Sequence, residues 1–338
     1  MTIKIHDIAK HLNLSNSTVS KALNGYDDVS MTTRELVMKT AVEMGYQPSA
    51  AARNLRRGRT DKIGLFLNTS VEYVVDYLSG IISGAVMTAQ GLSKNLLIYT
   101  IADNNPNQLL KVCRAGEIDG VILFSTHYDQ NTIDTLLADN FPFVVMGRAI
   151  QDERVSYVVP DYYTGSYQAT QYLIDLGHRR IAFTTRPELT TANEARFKGY
   201  MDALVDAGLE YDEALVAPTF IEPDSGVQAT KQFTSLDKQP TAICAFHDLV
   251  AVNVMNTLTK LGYRVPDDVS VMGFDGLRSG LMIHPQITTM AQPLPLIGQR
   301  VIEIVNQQID NDVAMPIQET VPVELVTRQS TATILQRC

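Results

Sequence analysis

The stretch of residues 3–57, IKIHDIAKHLNLSNSTVSKALNGYDDVSMTTRELVMKTAVEMGYQPSAAARNLRR, decides how the rest of this chain is interpreted. Apolar residues recur at helical spacing in its first part, which predicts a helix with one buried stripe formed by Ile5, Ile8, Ala9 and Leu12. A short polar turn and two further helical patterns follow. We therefore expect a compact three-helix unit with a short alanine-rich tail.

The second helix of this unit carries its most specific chemical signal. Ser15 is suited to cap it, because a serine oxygen accepts an otherwise unpaired N–H of the first turn. Val19 and Ala22 bury the inner face, and the outer face keeps the polar residues Asn16, Ser17, Thr18, Ser20 and Lys21. Such a face is typical of a helix that lies in a DNA major groove. For the third helix we expect Thr32 as the cap, with Ser30 as the rival.

Charge is distributed unevenly between this unit and the rest of the chain. Residues 1–59 hold nine Lys and Arg against five Asp and Glu, whereas the whole chain holds 28 against 37. A basic N-terminal unit joined to an acidic remainder suits a protein that attracts DNA phosphates through the N-terminal unit alone. The charge pattern thus favours nucleic-acid binding by the three-helix unit over the alternative of an ordinary polar helix hairpin.

The segments DIAKHLNLSNSTVSKALNG and VSMTTRELVMKTAVEMGYQPSAAARNLRRG resemble the DNA-binding headpiece of the lac repressor/galactose repressor (LacI/GalR) family, and the resemblance continues along nearly the whole chain. It implies a sequence-specific transcriptional regulator whose operator contacts include Asn16, Ser17, Thr18 and Lys21. No cofactor is implied.

The tail of the headpiece resembles the family's hinge helix. Pro48 stops the preceding helix, and the segment after it is too short to be a stable helix alone. The resemblance implies that Ser49, Arg53 and Leu55 contact DNA, with Leu55 wedged between bases in the minor groove. The alternative is a plain linker. We expect a headpiece at 1–47, a hinge at 48–60 and a body at 61–338.

Short apolar strands alternate with amphipathic helices in the body, which predicts an α/β fold with parallel sheets. The strands expected in two successive series are 62–67, 95–100, 120–124 and 143–146, then 180–184, 215–217, 242–245 and 269–273. The resemblance implies a two-lobed body similar to periplasmic binding proteins. We expect the first lobe at about 61–158 and 277–292, and the second at about 159–276 and 293–330.

Ligands of open α/β sheets bind at the carboxyl ends of the strands, so the cleft between the lobes is the expected effector site. The resemblance nominates residues that face the effector there: Tyr73, Arg148, Arg196, Ile221, His247 and Asp275. Asp76 is a further candidate. For the apolar platform, the spacing favours Ile221 and the chemistry favours Phe220. His247 departs from the family pattern and leaves the effector's identity open.

Enzyme and metal sites find little support in the sequence. There is no P-loop, no G-x-S-x-G element and no carboxylate cluster at metal spacing, so we expect neither catalysis nor a bound metal. Three cysteines without metal spacing suggest free thiols. Without a signal peptide or an apolar run of about 18 residues, a cytoplasmic location is expected.

These features together predict a repressor of a carbohydrate-utilisation operon that a mono- or disaccharide inducer releases from its operator. A homodimer is expected, because no leucine heptads follow the closing segment LVTRQSTA. One alternative is a corepressor-dependent repressor that responds to a non-sugar metabolite. Another is an α/β ligand-binding protein or enzyme with an incidental headpiece, which a gel shift with the operon's upstream DNA would distinguish.

Overall fold

The computed structural model describes residues 3–46, 58–68, 71–100, 106–125, 130–187, 190–222, 224–311 and 315–334. It excludes the side chains of 68, 71–74, 106, 107 and 125. The chain divides into two compact units, Met1–Thr60 and Asp61–Cys338. The expected α/β class, with N-terminal helices followed by parallel sheets, is confirmed.

The described part of the first unit is a bundle of three helices, α1 (Ile5–Leu12), α2 (Asn16–Leu23) and α3 (Met31–Glu43). Its small apolar core draws on all three helices and the turn before α3, and consists of Ile8, Ala9, Val19, Ala22, Val29, Val37 and Ala41. The expected cap of α2 is present, because the Thr18 N–H donates to Ser15 Oγ at 3.0 Å.

The cap of α3 differs from the first expectation. Ser30 rather than Thr32 caps this helix, because the Thr33 N–H donates to Ser30 Oγ at 3.2 Å. Thr32 already lies within the first turn. The rival cap named from the sequence was therefore the correct one.

The second unit contains twelve strands among its described residues: β1 (Lys62–Asn68), β2 (Asn95–Thr100), β3 (Gly120–Ser125), β4 (Phe143–Met146), β5 (Tyr157–Pro160), β6 (Ile181–Thr185), β7 (Val216–Pro218), β8 (Ala242–Cys244), β9 (Ser270–Asp275), β10 (Thr288–Ala291), β11 (Gln318–Val321) and β12 (Glu324–Val326). The α-helices are α4 (Val71–Gly91), α5 (Pro106–Arg114), α6 (Gln130–Ala138), α7 (Tyr162–Asp175), α8 (Thr191–Asp206), α9 (Val227–Thr234), α10 (Asp248–Lys260) and α11 (Leu294–Asp310). Short 3₁₀ helices lie at Glu213–Leu215 and Arg278–Leu281.

The strands form two six-stranded sheets, one in each lobe. The first sheet has the order β11-β5-β4-β3-β1-β2 and the second has the order β12-β10-β9-β8-β6-β7. All neighbours are parallel except β10 and β12, which are antiparallel. Because the strands are parallel, their carboxyl ends meet at one edge of each sheet.

The expected assignment to lobes is wrong for residues 277–292 and for α11 and β11, whereas β12 lies in the second sheet. Residues 277–292 were expected in the first lobe, but β10 pairs with β9 in the second sheet. Residues 293–330 were expected in the second lobe, but α11 packs into the core of the first lobe and β11 pairs with β5. The chain therefore crosses between lobes after β5, between β10 and α11, and between β11 and β12.

Helices α4 and α11 pack very closely in the first lobe. A Cβ added to Gly84 would lie 1.9 Å from the Pro295 carbonyl oxygen, and one added to Gly298 would lie 2.0 Å from the Ile81 carbonyl oxygen. Glycine is required at both positions because the backbones themselves are in contact. Within the described part of the chain, no helix is both long and apolar enough to cross a bilayer.

Candidate functional site

A cleft between the lobes of the second unit collects side chains from the carboxyl ends of strands in both sheets. The first sheet contributes Phe124 of β3 and residues Met146–Arg148 at the end of β4. The second sheet contributes residues at or just after the ends of its strands: Arg186, Phe246, His247, Asp275 and Gln292. Helices add Tyr77, Tyr162, Asn193 and Arg196, and the loop after β7 adds Ile221. This is the position expected for a ligand site in parallel α/β sheets.

Asp275 is the carboxylate at the centre of this lining. It ends β9, is 1% exposed and has a φ of +113°, which is unusual for a residue with a side chain. Its Oδ1 accepts a hydrogen bond from Gln292 Nε2 and lies 3.7 Å from Arg196 Nη2. Its Oδ2 lies 3.2 Å from His247 Nε2, but their geometry does not form a hydrogen bond, and Oδ2 has no other partner among the described residues. The carboxylate therefore keeps an acceptor for a ligand.

Arg196 packs its guanidinium group against two aromatic rings. The Tyr162 ring centroid lies 4.0 Å from Arg196 Cζ, and the Phe274 ring centroid lies 4.6 Å from it. Aromatic rings near a guanidinium stabilise its charge and fix its plane. Its buried Nε has no hydrogen-bond partner among the described residues. Arg196 thus keeps a donor near the free acceptor of Asp275.

His247 is a neutral histidine with an assignable tautomer. It caps α10, and its Nδ1 accepts the Leu249 N–H at 3.1 Å, so the proton of the neutral ring is on Nε2. Nε2 lies 3.2 Å from Asp275 Oδ2. Burial, with the charges of Arg196 and Arg186, lowers the pKa of His247 to about 3. The residue therefore offers an N–H donor rather than a positive charge.

Burial also governs the acidity of Asp275. It raises the pKa of this carboxyl well above the ordinary value, although the nearby Arg196 charge acts in the opposite direction. Asp248 adds to the increase. A ligand that donates hydrogen bonds to Asp275 would favour its ionised form, because hydrogen bonds to a carboxylate lower its pKa.

A hydrogen-bonded chain connects Asp275 to the first lobe. Tyr77 of α4 donates its hydroxyl proton to Gln292 Oε1 at 3.0 Å, and Gln292 in turn donates to Asp275. Tyr162 Oη donates to the Gly147 carbonyl at 3.2 Å beside the same cleft. The centre of the site is therefore linked to the orientation of the two lobes.

Asp248 supports the site from behind and was not identified from the sequence as a site residue. This fully buried carboxyl accepts from Thr289 Oγ1 at 2.7 Å and from the Leu277 N–H at 2.6 Å. Thr289 Oγ1 accepts in turn from the Gly276 N–H at 3.3 Å. Both amides that follow Asp275 are thus held, which stabilises the unusual backbone of Asp275. Its position directly after His247 was the available signal.

The structure brings together five of the six expected effector residues: Arg148, Arg196, Ile221, His247 and Asp275. The side chain of Tyr73 lies outside the described residues. Asp76 is not in the lining but accepts the Ser279 N–H at 3.0 Å. Ile221 lines the cleft, whereas Phe220 does not and is 49% exposed. Of the two candidates for the apolar platform, Ile221 is therefore the one that lines the cleft.

Several lining residues were not expected from the sequence, chiefly Tyr77, Tyr162, Arg186, Phe246 and Gln292. All of these except Tyr77 closely follow the end of a parallel strand, and that position was the signal available in the sequence. Tyr77 lies within α4, where no local pattern marks it.

In the first unit, Asn16 and Ser17 are exposed and Thr18 and Lys21 are half-buried at the surface of α2. Thr18 Oγ1 is hydrogen-bonded with Ser15 Oγ at 2.8 Å. The expected hinge contacts Ser49, Arg53 and Leu55 lie outside the described residues. Groups of acidic, cysteine and histidine side chains able to hold a metal are absent from the described part of the chain.

Comparison with known proteins identifies both units. Residues 4–49 match the model "Bacterial regulatory proteins, lacI family", and residues 170–331 match the model of a periplasmic binding protein-like domain. The chain is 34% identical to the HTH-type transcriptional regulator CelR of Thermobifida fusca, over 96% of each chain. It is 29% identical to catabolite control protein A of Priestia megaterium, over 98% of this chain and 100% of that protein.

Solved structures agree with this assignment. A complex of the transcriptional regulator CelR with cellobiose has a TM-score of 0.76 and 31% identity, covering 97% of this chain and 99% of that one. A lac repressor dimer bound to operator and an anti-inducer has a TM-score of 0.84 at 24% identity, covering 98% and 100%, and shows the shared fold. The chain belongs to the lacI family of bacterial regulatory proteins and is a DNA-binding transcriptional regulator.

Proposed function

We propose that this regulator is a repressor that a carbohydrate, a mono- or disaccharide, releases from its operator. The sugar binds in the cleft between the two lobes, where Asp275 and Arg196 hold its hydroxyl groups. The protein acts in the cytoplasm as a homodimer and catalyses no reaction on the sugar.

The pairing of a free acceptor with a free donor carries this proposal. Asp275 Oδ2 and Arg196 Nε are buried in the cleft lining and make no hydrogen bond with the described residues, although His247 Nε2 lies 3.2 Å from Oδ2. Leaving a buried polar atom without a hydrogen bond costs about 1–3 kcal/mol, so a ligand that bonds to these two atoms recovers that free energy. A hydroxyl both donates and accepts, and neighbouring sugar hydroxyls would satisfy the carboxylate and the guanidinium together.

The remaining lining suits a sugar ring. Ile221, Phe246 and Met146 supply apolar surface for its C–H groups, and His247 supplies a neutral N–H donor. Mostly apolar walls with a few placed polar groups are typical of small-molecule sites. Tyr73 and Arg148 are proposed as further contacts. The cellobiose complex of the related CelR supports a saccharide as the ligand.

For the DNA-binding unit, we assign base and phosphate contacts to the outer face of α2. Asn16, Ser17, Thr18 and Lys21 provide donors and acceptors of suitable reach for the major groove. Ser49, Arg53 and Leu55 are assigned to a hinge helix that forms on DNA, with Leu55 as the wedge in the minor groove.

An exposed apolar surface on the first lobe supports the homodimer. Val75 and Met87 of α4 and Ile98 of β2 are 54%, 72% and 49% exposed, and they border an apolar groove with Ile82 and Val86. Contiguous exposed apolar surface of this kind marks interaction sites. In such a dimer, a change in lobe orientation alters the spacing of the two hinge segments and hence their ability to form helices on DNA.

Calorimetric titration with a panel of neutral mono- and disaccharides, cellobiose included, tests this proposal. We expect one sugar to bind, and Asp275→Ala or Arg196→Ala to weaken it by at least about tenfold, because hydrogen bonds to charged groups contribute about 1.5–3 kcal/mol each. Asp267→Asn, which removes one carboxylate charge at an exposed position of the same lobe, is the control.

The same titration in the presence of DNA from upstream of the protein's own gene shows whether the sugar weakens or strengthens DNA binding. An inducer binds the DNA-bound protein less tightly than the free protein, because coupling is reciprocal. Tighter sugar binding on DNA would make the protein corepressed. Binding of a nucleobase, or of no carbohydrate in the panel, would contradict the sugar assignment.

A further inference from the structure

Lys21, one of the residues assigned to DNA, is already engaged by an acidic side chain in the DNA-free protein. Its Nζ forms an ion pair with Asp28 Oδ2, and the two side chains are 45% and 54% exposed. Lys21 lies in the last turn of α2, and Asp28 lies in the turn that leads to α3. The contact therefore joins the proposed reading helix to the next element of the headpiece.

The turn that carries Asp28 is held on both sides. The Tyr26 N–H donates to the Lys21 carbonyl at 3.1 Å, and Arg34 Nη2 of α3 donates to the Tyr26 carbonyl at 2.7 Å. Val29 is buried in the headpiece core, and Ser30 caps α3. Asp28 is thus presented to Lys21 by an anchored backbone rather than by a free loop.

A carboxylate in this position competes with DNA for the lysine. A lysine that contacts a phosphate adds affinity for any DNA sequence, because phosphates occur at every step of the duplex. To make this contact, Lys21 must break its ion pair with Asp28. If the pair stays intact, the negative charge of Asp28 is brought close to the phosphates. Asp28 therefore opposes the sequence-independent part of the binding energy.

We propose that Asp28 restrains Lys21 in the DNA-free headpiece, and so lowers the affinity of the headpiece for arbitrary DNA. The proposal rests on the DNA-contacting role proposed above for α2. Under it, every complex in which Lys21 contacts a phosphate must first break the ion pair between Lys21 and Asp28.

The test measures binding of the full-length protein to a fluorescent duplex of random sequence, about 30 base pairs long, by anisotropy over a range of salt concentrations. We expect Asp28→Asn to raise this affinity by about three- to fivefold, the scale of an exposed ion pair. Glu43→Gln is the matched control. It removes the same charge from the exposed Lys39–Glu43 pair of α3, whose atoms are 3.9 Å apart, and should change affinity less than about twofold.

A double-mutant cycle with Lys21→Gln shows whether Asp28 acts through Lys21. If it does, Asp28→Asn has no effect in the Lys21→Gln background, and the slope of log affinity against log salt steepens by about one phosphate contact only when Lys21 is present. An equal gain in both backgrounds would mean direct repulsion of DNA by Asp28 and would overturn the proposal. Equal gains from Asp28→Asn and Glu43→Gln would also overturn it, because net charge alone would explain them.

Failure of the proposed DNA-binding function would give a different result from failure of the proposal about Asp28. If the wild-type protein does not bind DNA even at low salt, the DNA-binding role fails. If it binds but Lys21→Gln and Asp28→Asn both leave affinity and salt slope unchanged, only the role of the Lys21–Asp28 pair fails.

Discussion

Two buried carboxyl groups, one that lines the cleft and one behind it, show how single residues are adapted to the site. Asp275 presents an acceptor to the cleft. Asp248, together with Thr289, holds the two backbone amides that follow Asp275. Gly273 makes room for this brace, because a Cβ there would lie 2.1 Å from Asp248 Oδ1. Burial raises the pKa of Asp248 to about 7, so its protonation makes stability depend on pH.

Asp248→Asn tests this pH dependence. A raised folded-state pKa means that the folded protein binds more protons than the unfolded chain between about pH 4 and about 7. The stabilisation that protonation of Asp248 gives to the folded state is fully present below that range and is lost as the pH rises through it. Asparagine cannot ionise, so the free energy of unfolding of Asp248→Asn relative to wild type should increase as the pH rises from about 4 to about 7.

Urea denaturation of both proteins across this range provides the measurement. The lowered pKa of His247 acts in the opposite direction, with stability lost as the pH falls through about 3, but it is common to both proteins and cancels in the difference. Asp275, whose pKa Asp248 raises, contributes to the difference in the same direction as Asp248. A difference that stays constant with pH would show that Asp248 neither has a raised pKa nor raises that of Asp275.

At the scale of elements, contacts between helix backbones set the geometry of the first lobe. Helices α4 and α11 approach so closely that Gly84 and Gly298 face backbone carbonyls. Their core includes Leu78, Ile81, Ile297 and Val301, all nearly fully buried. Because α4 also carries Tyr77, this packing positions one end of the hydrogen-bonded chain that reaches Asp275.

Gly298→Ala should destabilise the protein, because the added Cβ would lie 2.0 Å from the Ile81 carbonyl oxygen and backbone must move. We expect a loss of about 1–3 kcal/mol in the free energy of unfolding. Gly91→Ala is the control, since nothing lies within 4 Å of a Cβ at this helical position. Chemical denaturation would contradict the close packing if both variants were equally stable.

The hinge is an element whose sequence alone supports a prediction, because residues 47–57 lie outside the described structure. Leu55→Ala should weaken binding to the operator strongly and leave salt-sensitive binding to random DNA nearly intact, since a wedge acts only on bent DNA. A circular-permutation assay measures the bend. The same bend angle for mutant and wild type would contradict the wedge.

At the scale of the whole second unit, polar contacts join the two lobes. Tyr77 of the first lobe donates to Gln292 of the second, and Asp76 accepts from the Ser279 amide. Adjacent residues of α4 are therefore hydrogen-bonded to Ser279, in the segment that connects β9 to β10, and to Gln292, which directly follows β10. A ligand on Asp275 acts on one end of this network, which suits an allosteric link between the cleft and the first lobe.

Tyr77→Phe should reduce the factor by which sugar changes DNA affinity, because it removes the hydrogen bond between the lobes. Tyr200→Phe is the matched control, since it loses a buried hydroxyl that donates to the Ile181 carbonyl within one lobe. Both should lose about 1–3 kcal/mol of stability. DNA binding with and without the sugar gives the coupling, and an equal loss of coupling in the two variants would exclude a specific role for Tyr77.

The sequence by itself determined the features that depend on local patterns. Helical periodicity and capping residues located α1 to α3, and alternating strands and helices predicted the α/β body. Five of the six nominated cleft residues line the cleft, because motifs that follow parallel strands converge at one sheet edge whichever lobe they belong to. The sixth, Tyr73, has its side chain outside the described residues.

Only the tertiary structure decided which lobe the C-terminal segments join and which residues complete the cleft. Strand β10 and helix α11 carry enough apolar residues to be buried in either lobe. Their contacts with distant partners, β9 for β10 and the first-lobe core for α11, therefore decide which lobe each joins. Tyr77 and Gln292 are 215 residues apart, and the brace by Asp248 depends on Thr289, 41 residues away. Such contacts form only when the chain is packed, so no local pattern in the sequence reports them.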